Sequence, residues 1–203
     1  MNLQNDNNNT GHYPLYLGEE LGLIDNIHEC YPDIAKYRDK LMRDRWDWRE
    51  ISLAKDAKDM QNPELREGVL AFNRNLSFQY AADAIAATSI IQVMGPYCTN
   101  SEHLGLLQEW EGNEYVHAMQ YSEITKKVYP DPNDLMEEIK KNETLIRRLQ
   151  PIQDIFDETR KMSMLYSLGL DTDKSRHARQ IILYHATLLA LEGVAFGASF
   201  AAT

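Results

Sequence analysis

Glu114-Tyr-Val-His-Ala-Met-Gln-Tyr121 is the stretch on which the reading of this chain turns. At 100° per residue, Glu114, His117 and Tyr121 fall within about 60° of one another on a helix. They share that face with Leu107, Trp110, Ala118, Thr125 and Val128. A carboxylate, an imidazole and a phenol therefore point to the apolar side of the helix, where burial penalises charge.

Working outward, the helix that carries this segment is predicted to begin near Ser101 and to end near Val128, ahead of Tyr129-Pro130-Asp131-Pro132. Upstream, Asn62-Pro63-Glu64 supplies a capping Asn followed by Pro at the first helical position, and Gly95-Pro96 closes that helix. Downstream, a third helix begins near Asp134 and meets Pro151, which is expected to kink or divide it. The last begins near Lys174 and runs to the final residue. No alternating strand pattern, hairpin signal or internal repeat interrupts this series, so the expected fold is an all-α bundle.

Two more helices carry acids on apolar faces. Asp83 projects with Val69, Phe72, Leu76, Ala87, Ile90 and Met94, and Glu192 lines up with Ile181, His185, Leu188, Phe196 and Ser199. A buried unpaired carboxylate costs several kcal/mol after relaxation, and these faces hold no matching Lys or Arg. Something cationic is expected between them. Asp, Glu and His form the ligand set of iron or manganese, whereas structural zinc favours Cys and His. Carboxylates from several bundle helices, together with Glu-x-x-His on one face, are the pattern of a di-iron or di-manganese site. Each part has a plainer reading: one Glu-x-x-His is weak evidence, a lone inward Asp often bonds a helix end or a Tyr, and Glu192 could pair with His185. The conjunction carries the argument.

Composition sets the bounds. The chain's 203 residues, 43% hydrophobic, suffice for one sizeable core. Residues 12–203 are expected to form part of a single domain, preceded by a disordered polar arm over residues 1–11. A net charge of −10 without a basic cluster argues against nucleic acid. Cys30 and Cys98 form no CxxC pair, and the N-terminus has no cationic start or apolar stretch of a signal peptide, which fits a cytoplasmic setting. Ile181–Ala202 is nearly wholly apolar and long enough to span a membrane, but Glu192 and His185 within it suit a helix packed among others. No membrane role is expected.

From Trp46 to Thr203 the chain resembles the small subunit of class I ribonucleotide reductase, which has a ferritin-like helical fold. The matching segments are Trp46-Asp-Trp-Arg-Glu-Ile-Ser-Leu-Ala-Lys-Asp56, Leu76-Ser-Phe-Gln-Tyr-Ala-Ala-Asp83, Glu114 to Tyr121, and Ala190-Leu-Glu-Gly-Val-Ala-Phe-Gly-Ala-Ser-Phe200. By that resemblance Asp83, Glu114 and His117 hold one metal, Glu114 bridges to a second, and Glu192 ligates the second. Two iron or manganese ions per completed subunit are implied. Tyr121 is then the radical residue, and Phe196 and Phe200 resemble the apolar wall that keeps water and reductants from an oxidised phenol. Core packing accounts for those two rings equally well. Trp46 matches the tryptophan of the electron path to the large subunit, because Glu50, Ile51, Leu53 and Lys55 then fall in register; Trp48 is the weaker choice, and interface packing is the alternative for both.

The family pattern continues past Glu192 with another Glu and a second Glu-x-x-His, which this chain does not contain; His177 and His185 lie at other positions. The chain is therefore expected to be a fragment or one product of a split gene, inactive alone and completed by a polypeptide that brings those ligands. The resemblance implies a homodimer, a catalytic large subunit as partner, and reduction of ribonucleotides to deoxyribonucleotides. Two rivals stand beside it: a carboxylate-bridged di-iron oxygenase or oxidase, and a non-catalytic helical metal-binding subunit.

Overall fold

Eight α-helices follow one another in the computed structural model, which describes residues 14–24, 27 and 29–201. The polar arm expected over residues 1–11 lies outside the described residues. Among those described there is no strand, only an isolated antiparallel bridge between Tyr16 and Cys98.

Helix α1 (Pro32–Arg43) opens on a proline, whose missing N–H costs nothing at that position. The backbone N–H groups just before it, on Cys30 and Tyr31, donate to the carboxylate of Glu102 at 3.1 Å each. After a short helix α2 (Asp56–Asp59), Asn62 accepts from the Glu64 N–H at 3.0 Å and caps a 3₁₀ turn, Pro63–Leu65. That turn leads into α3 (Arg66–Ala87).

The sequence places the end of this helix at Gly95, but α3 stops at Ala87 and a π-helical turn, Ile90–Met94, follows Thr88 and Ser89. Glu111 supplies the reason: its carboxylate accepts the Ile91 N–H at 3.1 Å and removes that donor from the regular ladder. Helix α4 (Ser101–Val128) matches its expected span, with Asn100 accepting from the His103 N–H at 2.8 Å as its cap.

A second difference concerns Pro151. The chain breaks instead at Asn142, between α5 (Pro132–Lys141) and α6 (Glu143–Ser167), and Pro151 lies inside α6. The Asn142 side chain accepts from the Leu145 N–H at 3.0 Å, so it starts a new helix where the old one ends. Proline removes one ladder bond at 151 without ending the helix.

Asp173 caps α7 (Lys174–Ala190), accepting from the N–H groups of Ser175 and Arg176 at 3.0 and 3.1 Å. A π-helical segment, Leu191–Phe196, and α8 (Gly197–Phe200) continue it. Lys174–Phe200 is long and apolar enough to cross a membrane by length and composition. It is less enclosed than the sequence suggests. Ile181, Leu188, Leu191 and Phe196 are buried, while Ile182, Leu189 and Val194 are exposed, because no described element covers that flank.

The chain forms two compact units. One draws on residues up to Arg45, Thr88–Asn113 and Ile155–Tyr184. Its interior holds Tyr97 and His177, both wholly buried, with the phenol oxygen 2.7 Å from His177 Nδ1. The other draws on Trp46–Ala87, Glu114–Asp154 and the residues from His185 onward. Ala82, Leu145, Leu149, Leu191 and Phe196 form one apolar cluster there, and Leu76, Tyr121 and Leu135 form a second. Asp83, Glu114, His117 and Glu192 all belong to this unit.

Candidate metal centre

Helix α3 brings Asp83, and α4 brings Glu114 and His117, so that one ligand atom from each lies within 4.8 Å of the others. The i, i+3 spacing on α4 sets His117 Nδ1 3.1 Å from Glu114 Oε2. Asp83 and Glu114 are buried, and the His117 side chain keeps 40% of its surface exposed. The inward faces inferred from helical periodicity are the observed ones for Asp83 and Glu114, while His117 is only partly covered.

Electrostatics follow from this crowding. Burial, with added repulsion from Glu114, pushes the Asp83 carboxyl up to about 6, although a hydrogen bond from Tyr121 works against the rise. Burial and the charges of Glu114 and Asp83 push Glu192 up to about 7. The hydrogen bond with Glu114 raises His117, with burial opposing it. Tyr121, buried and donating to the Asp83 carboxylate, holds its proton far more tightly than a free phenol. The positive charge that acts on both Asp83 and Glu192 is that of His117.

Glu192 adds an independent sign. Its Oε1 is buried without a hydrogen-bond partner among the described residues, a costly state for a carboxylate oxygen. Three acids around one imidazole, with one acceptor unused, form a site short of positive charge and suited to a hard or borderline cation. The residues present therefore fit an iron or manganese ion: Asp83, Glu114 and His117 as one set of ligands, with Glu192 able to offer an oxygen. His185 is not in the three-residue cluster, and His177 is engaged by Tyr97 in the other unit.

The remaining residues singled out by sequence fall unevenly. Trp46 stacks on His117, with ring centroids 6.2 Å apart and planes 28° from parallel. Trp48 instead lies beneath the Arg49 guanidinium, 5.2 Å from its ring centre. Phe196 is buried in the Ala82–Leu191 cluster against Phe78. Phe200 is 60% exposed and stacks on Phe196. The apolar surroundings of Tyr121 are Leu76, Leu135, Phe72, Tyr80, Ile124, Tyr129 and Ile139. Sequence reasoning missed Tyr80, whose ring centroid is 5.9 Å from that of Tyr121. The available signal was its position three residues before Asp83, on the same side of α3.

The family model described as "Ribonucleotide reductase, small chain" matches residues 26–203. Among curated proteins, the chain is 25% identical over 200 residues to the ribonucleoside-diphosphate reductase subunit beta of Haemophilus influenzae, covering 93% of this chain and 53% of that protein. It is 24% identical over 200 residues, with the same coverage, to ribonucleoside-diphosphate reductase 1 subunit beta of Escherichia coli O157:H7. With the ribonucleoside-diphosphate reductase subunit beta of Enterobacteria phage T4 it shares 23% identity over 210 residues, covering 94% of this chain and 54% of the phage protein. The chain thus spans about half the length of these relatives. An all-helical chain with a carboxylate and histidine cluster on α3 and α4, matched over residues 26–203, belongs to the ribonucleotide reductase small-chain family.

Proposed function

We propose that this chain forms the part of a ribonucleoside-diphosphate reductase small subunit that holds most of a carboxylate-bridged di-metal centre and the tyrosine it oxidises. The observation that carries this reading is the contact between cluster and phenol. Asp83 belongs to the group of ligand atoms within 4.8 Å and also accepts the Tyr121 hydrogen bond. When bound, iron or manganese with oxygen would supply the oxidising power to take one electron from a phenol.

The chain's own residues do the rest. Asp83, Glu114 and His117 would hold one ion, and Glu114 and Glu192 would offer oxygens to a second. Asp83 orients the Tyr121 hydroxyl and can receive its proton as the ring loses an electron. Leu76, Phe72 and Leu135 keep water from the oxidised ring. Trp46, stacked on His117, carries the electron between the centre and a catalytic large subunit that reduces ribonucleotides.

Four ligand residues fall short of two full coordination shells. A complementing polypeptide with another Glu and a Glu-x-x-His helix fills them in this proposal, within a cytoplasmic homodimer. Low-temperature electron paramagnetic resonance of the completed subunit, after Fe(II) and oxygen are added, is the test. A tyrosyl radical that disappears in Tyr121→Phe supports the proposal; a metal-loaded protein that never yields one defeats it.

A further inference from the structure

Tyr80 is a half-buried phenol in ring contact with Tyr121, at 5.9 Å between centroids and 39° between planes. Its hydroxyl lies 2.9 Å from Ser122 Oγ, on the residue next to Tyr121 along α4. Ser122 is half-buried as well, so neither residue is sealed from solvent. A tyrosine loses a proton when it loses an electron, so a hydroxyl partner with access to water makes that loss feasible. Tyr129 belongs to the same apolar cluster, but its hydroxyl donates to Asn73 Oδ1 at 2.6 Å, and it makes no described ring contact with Tyr121.

We propose that Tyr80 is a second redox-active tyrosine, which exchanges an electron with oxidised Tyr121 and serves as the outlet through which external one-electron reductants quench the radical. This rests on the functional reading above, in which Tyr121 is oxidised. The exchange is balanced. Tyr121 as phenoxyl radical is the oxidant, and Tyr80 as phenol is the reductant. One electron passes from the Tyr80 ring to the Tyr121 ring. The Tyr80 hydroxyl gives its proton to Ser122, which releases one to solvent. The Tyr121 oxygen takes up a proton drawn from solvent along its hydrogen bond with Asp83 and is a phenol again. A reductant at the surface then restores Tyr80 with one electron and one proton. The device gives a shielded radical a defined leak, set by contact between two rings on neighbouring helices.

The test uses the assembled, metal-loaded subunit with 3-aminotyrosine placed at position 80, because that ring is more easily oxidised than tyrosine and traps the hole. The expected spectrum shows an aminotyrosyl radical growing at the expense of the Tyr121 signal. A Tyr121 signal of full intensity that ignores the substitution overturns the inference while leaving the functional reading intact. Absence of any tyrosyl radical in the unsubstituted subunit overturns both. A second variant, Tyr80→Phe, is nearly isosteric and forms Tyr121 radical in normal yield. Its radical should decay at least threefold more slowly than wild type when a bulky hydrophilic reductant is added, with Tyr129→Phe unchanged as control. Equal half-lives in wild type and Tyr80→Phe overturn the proposal.

Discussion

The indole of Trp46 lies on the imidazole of His117, centroids 6.2 Å apart and planes 28° from parallel, so one side chain meets both the candidate metal cluster and a conjugated ring outside it. His117 offers one edge to Glu114 and its face to Trp46. Replacing Trp46 by Phe keeps an aromatic face on the histidine but removes the more easily oxidised ring. The completed subunit should then keep its metal and its Tyr121 radical, while nucleotide reduction with the large subunit falls by roughly tenfold or more. Metal content, radical yield and turnover measured together separate the two roles. A parallel loss of metal would mean that Trp46 only packs the ligand.

Uncompensated acids should behave differently from compensated ones. Asp83→Ala, Glu114→Ala and His117→Ala are each expected to lower bound metal in the completed protein. Glu123→Ala is not. Glu123 is held by Lys127 at 2.9 Å and Lys126 at 3.7 Å, which keep its carboxyl below the usual range. Its side chain is 15% exposed, and its charge is already matched. Elemental analysis of the four variants is the measurement, and equal metal in all of them would remove the assigned site.

Much of this was legible in the sequence because helical period and residue chemistry are local properties. Asp83, Glu114 and His117 each sit on an apolar stripe that the wheel shows without any structure, and α4 has its expected ends. The misses required contacts between distant residues. Glu111 takes the Ile91 N–H and sets a π turn where a straight helix was expected, and Asn142, rather than Pro151, divides α5 from α6. Tyr80 was overlooked because a tyrosine beside an apolar run looks like packing until its neighbour on another helix is known. Phe200 is exposed because no described element covers that flank of the last helix.

Acidity should stabilise the metal-free protein at this site. Asp83 and Glu192 titrate near 6 and 7 in the folded chain, against ordinary values of 3.8 and 4.5. The folded state therefore binds more protons than the unfolded one between those limits. Their contribution is fully present below about pH 4 and is lost as pH rises through about 7, and the raised His117 acts in the same direction. The melting temperature of metal-free protein is expected to fall by a few degrees, roughly 2–6 °C, from pH 5 to pH 8. Asp83→Asn combined with Glu192→Gln should flatten that slope. An unchanged slope in the double variant would place the titration elsewhere.

Tyr121→Phe isolates the hydroxyl from the ring. The substitution keeps nearly the same volume in the Leu76–Leu135 cluster and removes only the donor to Asp83. Metal content should be unchanged, because the hydroxyl is not among the proposed ligands. The tyrosyl signal should vanish, including any share on Tyr80, since Tyr121 is the oxidant for that ring. Losing a hydrogen bond to a buried carboxylate should cost the metal-free protein about 1–2 kcal/mol, readable in urea unfolding. A persistent tyrosyl signal would move the radical to another residue.

The last prediction concerns ligand count. In the proposed centre Asp83, Glu114 and His117 would make one nearly complete metal position, and Glu192 would add an oxygen that has no hydrogen-bond partner among the described residues. Residues 1–203 alone should then bind Fe(II) or Mn(II) weakly, because a second ion finds only partial ligation. Metal binding and folding are linked when ligands are buried acids, so whatever completes the site should also stabilise the fold. A polypeptide carrying another Glu and a Glu-x-x-His helix is expected to raise stoichiometry to about two metals per subunit. It should raise the melting temperature in the same titration, by compensating Glu192 and covering exposed apolar surface such as Leu189 and Val194. Anaerobic titration of the chain with and without that polypeptide distinguishes the outcomes. Tight binding of two ions by residues 1–203 alone would mean that further ligands come from within this chain, with His185 the first to mutate.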